Sequence, residues 1–385
     1  MPVIKQNAIR HEQLDGLRGM AAFVVFLFHA VMMAPSNSRV FHVLTNPLVR
    51  PFWDGPGAVM LFFVLSGFVL TLPYAAKRAR KIEPVPFLIR RIARLYPAYW
   101  AALTLALILR FFVFNPGGLS GLSPWINLHW SQPVAWSSIV SHAFMISPGI
   151  QVNDIDPVIW SLIIEMKISL VFPLLIVLVT RTSLVLYALV AIGASIALTT
   201  PLHFVTHSSS SWSRAAIMLP AFLLGSYLAR YRSELVAWLR TSRWIRVLVA
   251  IAGTALYSIV WITPIDKQSL ARWGCALGSG AFILLFLASP RLEMLGTARP
   301  IRFVGKVSYS FYMVHLPILI TVASLLFVRS HSLVLVAVTS LMISLLIAWA
   351  IYRLVEAPAH NWGKKLASAA STSEPKLSVE TLAGQ

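Results

Sequence analysis

The chain has 385 residues, of which 58% are hydrophobic and 12% carry a charge. Soluble domains carry about 25% charged residues, so this composition excludes an ordinary soluble protein. The net charge is +19, but the basic residues cluster in short loops between apolar runs, which is the pattern of a membrane protein and not of a nucleic-acid-binding domain. We therefore predict a multi-pass membrane protein in contact with a lipid bilayer, with no nucleic-acid partner.

Ten apolar segments are long enough to cross a bilayer as helices, which predicts an all-α, polytopic bundle. The first segment is interpreted as a retained span and not as a cleaved signal, because nine more follow it. The predicted spans are 16–34, 57–75, 92–114, 158–179, 183–200, 214–230, 245–263, 272–289, 307–328 and 332–354.

Three basic loops, around residues 77–94, 230–246 and 291–306, predict the orientation of these spans. Basic loops stay on the cytoplasmic side, so both termini are expected to be cytoplasmic. The regions expected outside are 35–56, 115–157, 201–213, 264–271 and 329–331.

One apolar segment, Val134–Ile146, is too short to be a span. It is predicted to form a re-entrant or interfacial helix over the outer mouth of the bundle. Residues 1–363 are expected to form one transmembrane domain. Residues 364–385 are polar and are predicted to form a disordered cytoplasmic tail.

Arg18 and His29 lie in the first span with ten residues between them. At about 1.5 Å per helical residue, His29 is roughly 16 Å deeper in the span than Arg18. Ionisable groups at such depth usually face a cavity or a reaction centre, and a neutral imidazole can serve as a general base. The alternative is a histidine that only packs against a neighbouring helix.

Glu165 is predicted to lie one to two turns from the outer surface, at the depth of His29. A salt bridge to Lys167 is disfavoured because residues two apart point to opposite helix faces. The carboxylate could therefore orient the His29 ring, or it could bind an acceptor hydroxyl.

Arg91 and Arg94, with the adjacent Arg90, stand at the inner end of the third span. Guanidinium groups match phosphate oxygens, so this cluster could bind a phosphorylated ligand; the alternative for these residues and for Arg18 is membrane anchoring. His315 is expected in mid-membrane, where packing and catalysis are equally open.

Asp154 and Asp156 precede the fourth span and could hydrogen-bond sugar hydroxyls, or they could only solvate the loop. The sequence has no Cys/His metal cluster, no phosphate-binding P-loop and no Gly-x-Ser-x-Gly elbow.

From about residue 13 to 360 the chain resembles the membrane-bound acyltransferase-3 family. Six motifs carry the resemblance, in the order typical of that family. They are Leu14-Asp15-Gly16-Leu17-Arg18-Gly19 with Arg-x10-His, Phe62-Phe63-Val64-Leu65-Ser66-Gly67-Phe68, Arg90-Arg91-Ile92-Ala93-Arg94-Leu95-Tyr96-Pro97, Trp160-Ser161-Leu162 with Glu165 and Pro173, Ser308-Tyr309 with Tyr312 and His315, and Tyr352-Arg353-Leu354-Val355-Glu356-Ala357-Pro358.

The resemblance implies ten spans and an enzyme that O-acetylates polysaccharides, lipopolysaccharide O-antigen or Nod factors. It implies His29 as the catalytic histidine, Arg18 as its motif partner and Glu165 as part of the site. Acyl-CoA would be bound by Arg91 and Arg94 on the cytoplasmic side. The implied substrate-binding residues are Ser66, Trp160, Tyr309 and Tyr312.

Two departures from the family pattern stand out. After Glu165 many relatives carry an aromatic pair where this chain has Ile168-Ser169, which bears on contacts to the acceptor. Some members also carry a fused extracytoplasmic esterase-like domain that is not in this sequence, so the chain is expected to act alone or with a separate partner.

We therefore predict an O-acetyltransferase of the bacterial inner membrane that uses acetyl-CoA and a glycan or glycolipid acceptor. His29 could deprotonate the acceptor hydroxyl or carry the acetyl group itself. A transporter or flippase for a glycan or acyl precursor is the alternative class. A third possibility keeps acyl transfer but uses a small cytoplasmic or antibiotic-like acceptor.

Overall fold

The computed structural model describes residues 11–46, 49–75, 82–113, 119–146, 155–183, 185–187, 211–261, 263 and 268–372. Within these ranges every regular element is helical, which confirms the all-α prediction. The helices are α1 Glu12–Met32, α2 Arg39–Leu44, α3 Gly55–Thr71, α4 Pro84–Phe112, α5 Pro124–Leu128, α6 Trp136–Ala143, α7 Trp160–Arg181, α8 Ser211–Arg230, α9 Arg232–Thr241, α10 Arg243–Ser258, α11 Gln268–Ala288, α12 Pro290–Thr297, α13 Arg299–Val322, α14 Leu333–Ile351 and α15 Ala357–Thr372. Short 3-10 or π turns occupy Arg50–Trp53, Ile259–Trp261, Ala323–Phe327 and Tyr352–Glu356, and one further helical turn spans Val328–Ser330.

Seven helical segments in the described part of the chain are long and apolar enough to cross a membrane. They are Glu12–Met32, Pro84–Phe112, Trp160–Arg181, Arg243–Trp261, Ala271–Ala288, Arg299–Ser330 and Leu333–Ser371. The predicted spans 57–75 and 214–230 correspond to the helices α3 and α8. Most of the predicted span 183–200 lies outside the described residues, as do Lys77, Arg78, Arg80 and Lys81.

Two helices extend beyond the boundaries expected from the sequence. Helix α4 begins at Pro84 and not at 92, because a proline at the first helical position has the required φ and no N–H to leave unpaired. Arg90, Arg91 and Arg94 are therefore all inside the helix. At the other end of the chain, α15 continues to Thr372, so a disordered tail does not begin at residue 364.

The short apolar segment Val134–Ile146 forms the eight-residue helix α6, in agreement with the prediction that it is not a span. The hydroxyl of Tyr99 donates to the carbonyl of His142 at 2.7 Å, and the indole of Trp100 donates to that of Ala143 at 2.8 Å. These bonds attach the C-terminal end of α6 to the middle of α4.

Helices α1 and α13 run parallel through the centre of the bundle. A Cβ atom on Gly19 would lie 2.5 Å from the backbone nitrogen of Gly305, so glycine permits the close approach. Ten residues further along both helices, the rings of His29 and His315 meet. Nearly all residues of α13 from Val307 to Ile320 are buried, which makes it the core helix.

Helix α7 runs in the opposite direction and begins inside the bundle. The segment that precedes it is buried, with Ile155, Asp156 and Ile159 each 0% exposed. In its first turn, Ser161 contacts the hydroxyl of Tyr312 on α13. The start of α7 is therefore level with the histidine region of α13, and later residues of α7 lie progressively closer to the first turns of α4.

Candidate active site

The first part of the site is a cavity of about 240 Å³ that four arginines line; we call it the arginine cavity. The four are Arg18 on α1 and Arg90, Arg91 and Arg94 on α4. The same cavity is lined by three predicted substrate-binding residues, Ser66, Tyr309 and Tyr312. The three short sequence motifs on α1, α3 and α4 thus meet in space, although they are far apart in the chain.

Arg91 is held in place by α7. Its Nη2 donates to Glu165 Oε1 at 2.7 Å and to Ser169 Oγ at 3.0 Å, and its Nε also reaches Ser169 Oγ, at 3.2 Å. Ser66 Oγ donates to the same Glu165 oxygen at 3.1 Å. Ser169 is part of the Ile168-Ser169 departure from the family pattern. It contributes to the cavity because its hydroxyl accepts hydrogen bonds from Arg91.

The cavity keeps an excess of positive charge. Arg18 pairs with Asp15 at 3.3 Å and Arg91 with Glu165. Within the described residues, Arg90 and Arg94 form no ion pair. Guanidinium groups that line a cavity without a carboxylate partner are suited to phosphate oxygens.

Glu165 does not lie at the depth of His29, as the sequence analysis expected. Because α7 begins inside the bundle and not at its surface, Glu165 lies one turn below Ser161, at the level of the arginines. Its carboxylate pairs with Arg91. The sequence places the start of the span only by hydropathy, and a buried apolar loop before a helix has the same hydropathy as the helix.

The partner of His29 is His315. Nδ1 of His29 and Nε2 of His315 are 2.8 Å apart. His315 is fully buried at 0% exposure, whereas His29 is half-buried and lines a second cavity. His315 therefore stands behind His29, and only the His29 ring faces open space.

The hydrogen bonds assign a proton to each ring. Nδ1 of His315 is 2.7 Å from the carbonyl oxygen of Tyr312, and a carbonyl oxygen only accepts, so this nitrogen carries the proton. Nε2 of the neutral His315 ring is then an acceptor, and Nδ1 of His29 must donate to it. The remaining nitrogen of His29, Nε2, is left with a free lone pair, which is what a general base or a nucleophile requires.

The loop after α4 covers the end of α1 beside His29. Ser123 donates to the carbonyls of Met32 and Met33, through its hydroxyl at 2.5 Å and its N–H at 2.9 Å. Trp125 in α5 stacks on the His29 ring at 5.5 Å and 12°. Trp125 lies in no recognised motif, and the tryptophan content of the outer loop is the signal that the sequence contains for it.

Trp125 in turn meets the ring of His129 edge-on at 4.6 Å. Burial lowers the pKa of His129 to about 4, so this loop histidine is neutral near pH 7. The rings of His29, Trp125 and His129 therefore form a contiguous, largely apolar cover over one side of the site.

The second cavity, which we call the histidine cavity, has a volume of about 450 Å³. Aromatic side chains dominate its walls. Those lining it include Phe28, Phe63, Trp160, Trp261 and Tyr312. Trp160, predicted to bind substrate, thus lies beside His29. Arg272 on α11 also lines this cavity, although no motif in the sequence points to it.

The two cavities adjoin. Val59, Phe63 and Tyr312 line both of them and form the partition between them. The Tyr312 hydroxyl is 2.7 Å from Ser161 Oγ and donates to the carbonyl of Val158 at 3.3 Å. The partition is therefore a packed layer fixed by hydrogen bonds between α7 and α13.

The prediction that Asp156 faces sugar hydroxyls at the outer surface is wrong. The residue is 0% exposed, and Oδ1 accepts the N–H of Val158 at 3.3 Å. Burial raises the pKa of the Asp156 carboxyl well above its ordinary value. Its position in the buried turn before α7 explains the error. Asp154 lies outside the described residues.

Among the described residues, no group of three or more His, Cys, Asp or Glu side chains is arranged to hold a metal ion. The two cavities offer guanidinium groups on one side and a histidine base on the other.

Comparison with known proteins gives a family match over most of the chain. A family model described as "Acyltransferase domain" matches residues 11–353. The O-acetyltransferase OatA of Staphylococcus aureus (strain NCTC 8325 / PS 47) is 26% identical over 379 residues, which cover 91% of this chain and 57% of OatA. Acyltransferase MdmB of Streptomyces mycarofaciens is 26% identical over 329 residues, 80% of this chain and 79% of MdmB. The chain thus spans little more than half the length of OatA. No solved structure matches it at a significant level.

Proposed function

Because the chain belongs to the acyltransferase-3 family, we propose that it is a membrane-bound O-acyltransferase. It transfers an acetyl or other short acyl group from acyl-CoA to a hydroxyl of an envelope or secreted glycan or glycolipid. The names of two relatives, an O-acetyltransferase and an acyltransferase, support the reaction class.

The observation that carries the proposal is the pair of adjoining cavities with different chemistry. The arginine cavity suits a phosphorylated donor, and the histidine cavity holds a base beside aromatic walls. They meet at Val59, Phe63 and Tyr312. A donor and an acceptor that enter from opposite sides would therefore bring their reacting atoms together at this partition.

On the donor side, Arg90 and Arg94 bind the phosphates of acyl-CoA in this proposal. Arg91 is already held by Glu165 and Ser169, so it acts as a fixed cation at the back of the cavity. Arg18 adds charge from α1. The thioester end of the donor then extends past Tyr309 and Ser66 toward Tyr312.

On the acceptor side, Nε2 of His29 takes the proton from the acceptor hydroxyl as its oxygen attacks the thioester carbonyl carbon. The carbon–sulfur bond breaks, and the proton passes from His29 to the CoA thiolate, which leaves the imidazole neutral. His315 stabilises the imidazolium formed in between and keeps the proton of His29 on Nδ1. An acid-quenched reaction with labelled acetyl-CoA separates this route from an acetyl-histidine intermediate, which would leave label on the protein.

The charge distribution supports a cytoplasmic arginine cavity in a bacterial inner membrane with both chain termini inside. Helices α1, α4 and α13 begin at the end of the bundle where the basic segments 230–246 and 291–306 also lie, and basic segments favour the cytoplasmic face. The histidine cavity then faces the opposite side, where envelope glycans are found.

The test supplies labelled acetyl-CoA to inverted and to right-side-out membrane vesicles containing the protein. We expect label in envelope glycan from inverted vesicles with the wild type, and none with His29→Ala. His42→Ala is the matched control, since His42 is exposed in α2, and should behave as wild type. Equal transfer by His29→Ala at a normal protein level would contradict the assignment, and no transfer by the wild type would favour a transporter.

A further inference from the structure

The histidine cavity carries a charge that the acetyl-transfer reaction does not require. Among its described lining residues, Arg272 is the one with a permanent charge, and no carboxylate lines the cavity. The rest of the wall is apolar or aromatic, apart from His29 and Tyr312. The cavity that would admit the acceptor is therefore electropositive.

Arg272 stands near the beginning of α11, and its side chain is partly buried. Within the described residues it makes no hydrogen bond or ion pair. Two other arginines show how such a group is usually engaged: Arg50 lies between the rings of Trp53 and Trp261, at 3.6 and 3.5 Å from their centroids, and Arg230 donates to two carbonyls.

The Arg272 side chain is partly buried against this cavity, and a buried guanidinium group is costly unless an anion compensates its charge. The histidine cavity supplies no such anion from its described walls, so the structure assigns this role to the ligand. Arginine offers two parallel N–H donors that match a carboxylate or a phosphate.

We propose that the acceptor carries an anionic group beside the sugar that is acylated, and that Arg272 binds this group while the hydroxyl faces His29. Such a group is a carboxylate, as in a uronic acid, or a phosphate, as in a phosphorylated glycan or glycolipid. The sugar ring then lies against Trp160 and Trp261. This inference rests on the proposed acyl transfer and names the acceptor class for it.

The experiment measures transfer of labelled acetyl groups to envelope glycan in detergent-permeabilised membranes, with three soluble competitors. The competitors are methyl β-glucoside, methyl β-glucuronide and methyl β-glucoside 6-phosphate, which share one sugar ring and differ in charge. We expect the two charged sugars to inhibit the wild type at concentrations at least tenfold lower than the neutral one. The stronger inhibitor of the two charged sugars shows whether the anionic group is a carboxylate or a phosphate.

Arg272→Gln should remove this preference and raise the apparent KM for the glycan at least tenfold, with kcat within about twofold of wild type. Arg272→Lys, which keeps the charge, should retain part of the preference for charged sugars. Arg329→Gln is the control, because Arg329 is an exposed arginine at the end of the bundle where α13 terminates. Size-exclusion profiles of all variants report folding.

Equal inhibition by the three sugars, no inhibition by any of them, or an unchanged preference in Arg272→Gln would overturn the inference. None of these results affects the proposed function, which is judged by transfer in the wild type and its loss in His29→Ala. Absence of transfer in the wild type would instead remove the proposed function itself.

Discussion

At the scale of single residues, the chemistry of the site depends on which side chains are hydrogen-bonded to one another. His315 is fully buried and bonds the Tyr312 carbonyl through one nitrogen and His29 through the other. His29 is the ring that faces the cavity. The proposed division of labour makes His29 the catalytic residue and His315 the residue that positions it.

Replacement of His315 tests this division. His315→Leu cannot accept the His29 proton, so we expect kcat to fall about 10²-fold, within the range for general-base catalysis, with both KM values nearly unchanged. His315→Gln has an amide oxygen that can accept, and should retain more activity than the leucine variant. Initial rates of acetyl transfer measure both. A raised KM with an unchanged kcat, or equal rates for the two variants, would contradict a positioning role.

Asp156 gives a second prediction at this scale. Its buried carboxyl has a raised pKa, so at pH 7 the folded protein bears either a proton on this group or the cost of an ionised buried group. Asp156→Asn removes that cost, and we expect unchanged acetyl transfer and a melting temperature equal to or above that of the wild type at pH 7. The difference should shrink as the pH falls toward the pKa of an unfolded aspartate, about 3.9, because the carboxyl then gains its proton in the unfolded chain as well. Loss of glycan acetylation in a folded Asp156→Asn protein would instead restore the acid as a substrate contact.

At the scale of helices, close backbone contacts hold the site together. A Cβ atom on Gly67 of α3 would lie 1.8 Å from the Phe222 carbonyl oxygen, and one on Gly225 of α8 would lie 1.8 Å from that of Val64. Helix α3 also carries Ser66, which donates to Glu165. Separation of α3 from α8 would therefore displace the wall of the arginine cavity.

We expect Gly67→Ala to destabilise the protein by about 1–3 kcal/mol, the usual cost of an inserted group in a packed interface. It should also raise the apparent KM for acyl-CoA. Gly280→Ala is the control, since its Cβ would meet only the flexible end of Leu228 at 2.7 Å. Thermal unfolding in detergent compares the two. A Gly67→Ala protein as stable as Gly280→Ala would contradict the close-packing account.

At the scale of the whole molecule, the partition separates two compartments across the bundle. Phe63 lines both cavities and is 3% exposed. In the proposed reaction, a closed partition would keep water and the acceptor away from the thioester until both substrates are bound.

Phe63→Ala should open this partition. We expect acetyl-CoA hydrolysis without acceptor to rise at least severalfold, because water from the histidine cavity gains access to the donor. Phe111→Ala, at a side chain that is 83% exposed, should leave it at the wild-type level. Release of free CoA in the absence of glycan is the measurement. Hydrolysis that stays at the wild-type level in a folded Phe63→Ala protein would mean that the partition does not separate the compartments.

Hydropathy and short motifs are local properties of the chain, so the membrane-spanning helical class, most of the approximate spans and the family could be predicted from the sequence. The sequence also identified Arg18, Arg91, His29 and His315, since ionisable residues within apolar runs are conspicuous. The shortness of α6 followed from the length of its apolar segment alone.

Which of these groups meet depends on the tertiary structure. The parallel approach of α1 and α13 through Gly19 and Gly305 pairs His29 with His315, and the buried start of α7 brings Glu165 to Arg91. Long-range packing also brings Trp125 and Arg272 to the site, although neither residue lies in a sequence motif. Depth in a bundle depends on where each helix begins relative to its neighbours, and that is set by long-range packing, which hydropathy along one chain does not contain.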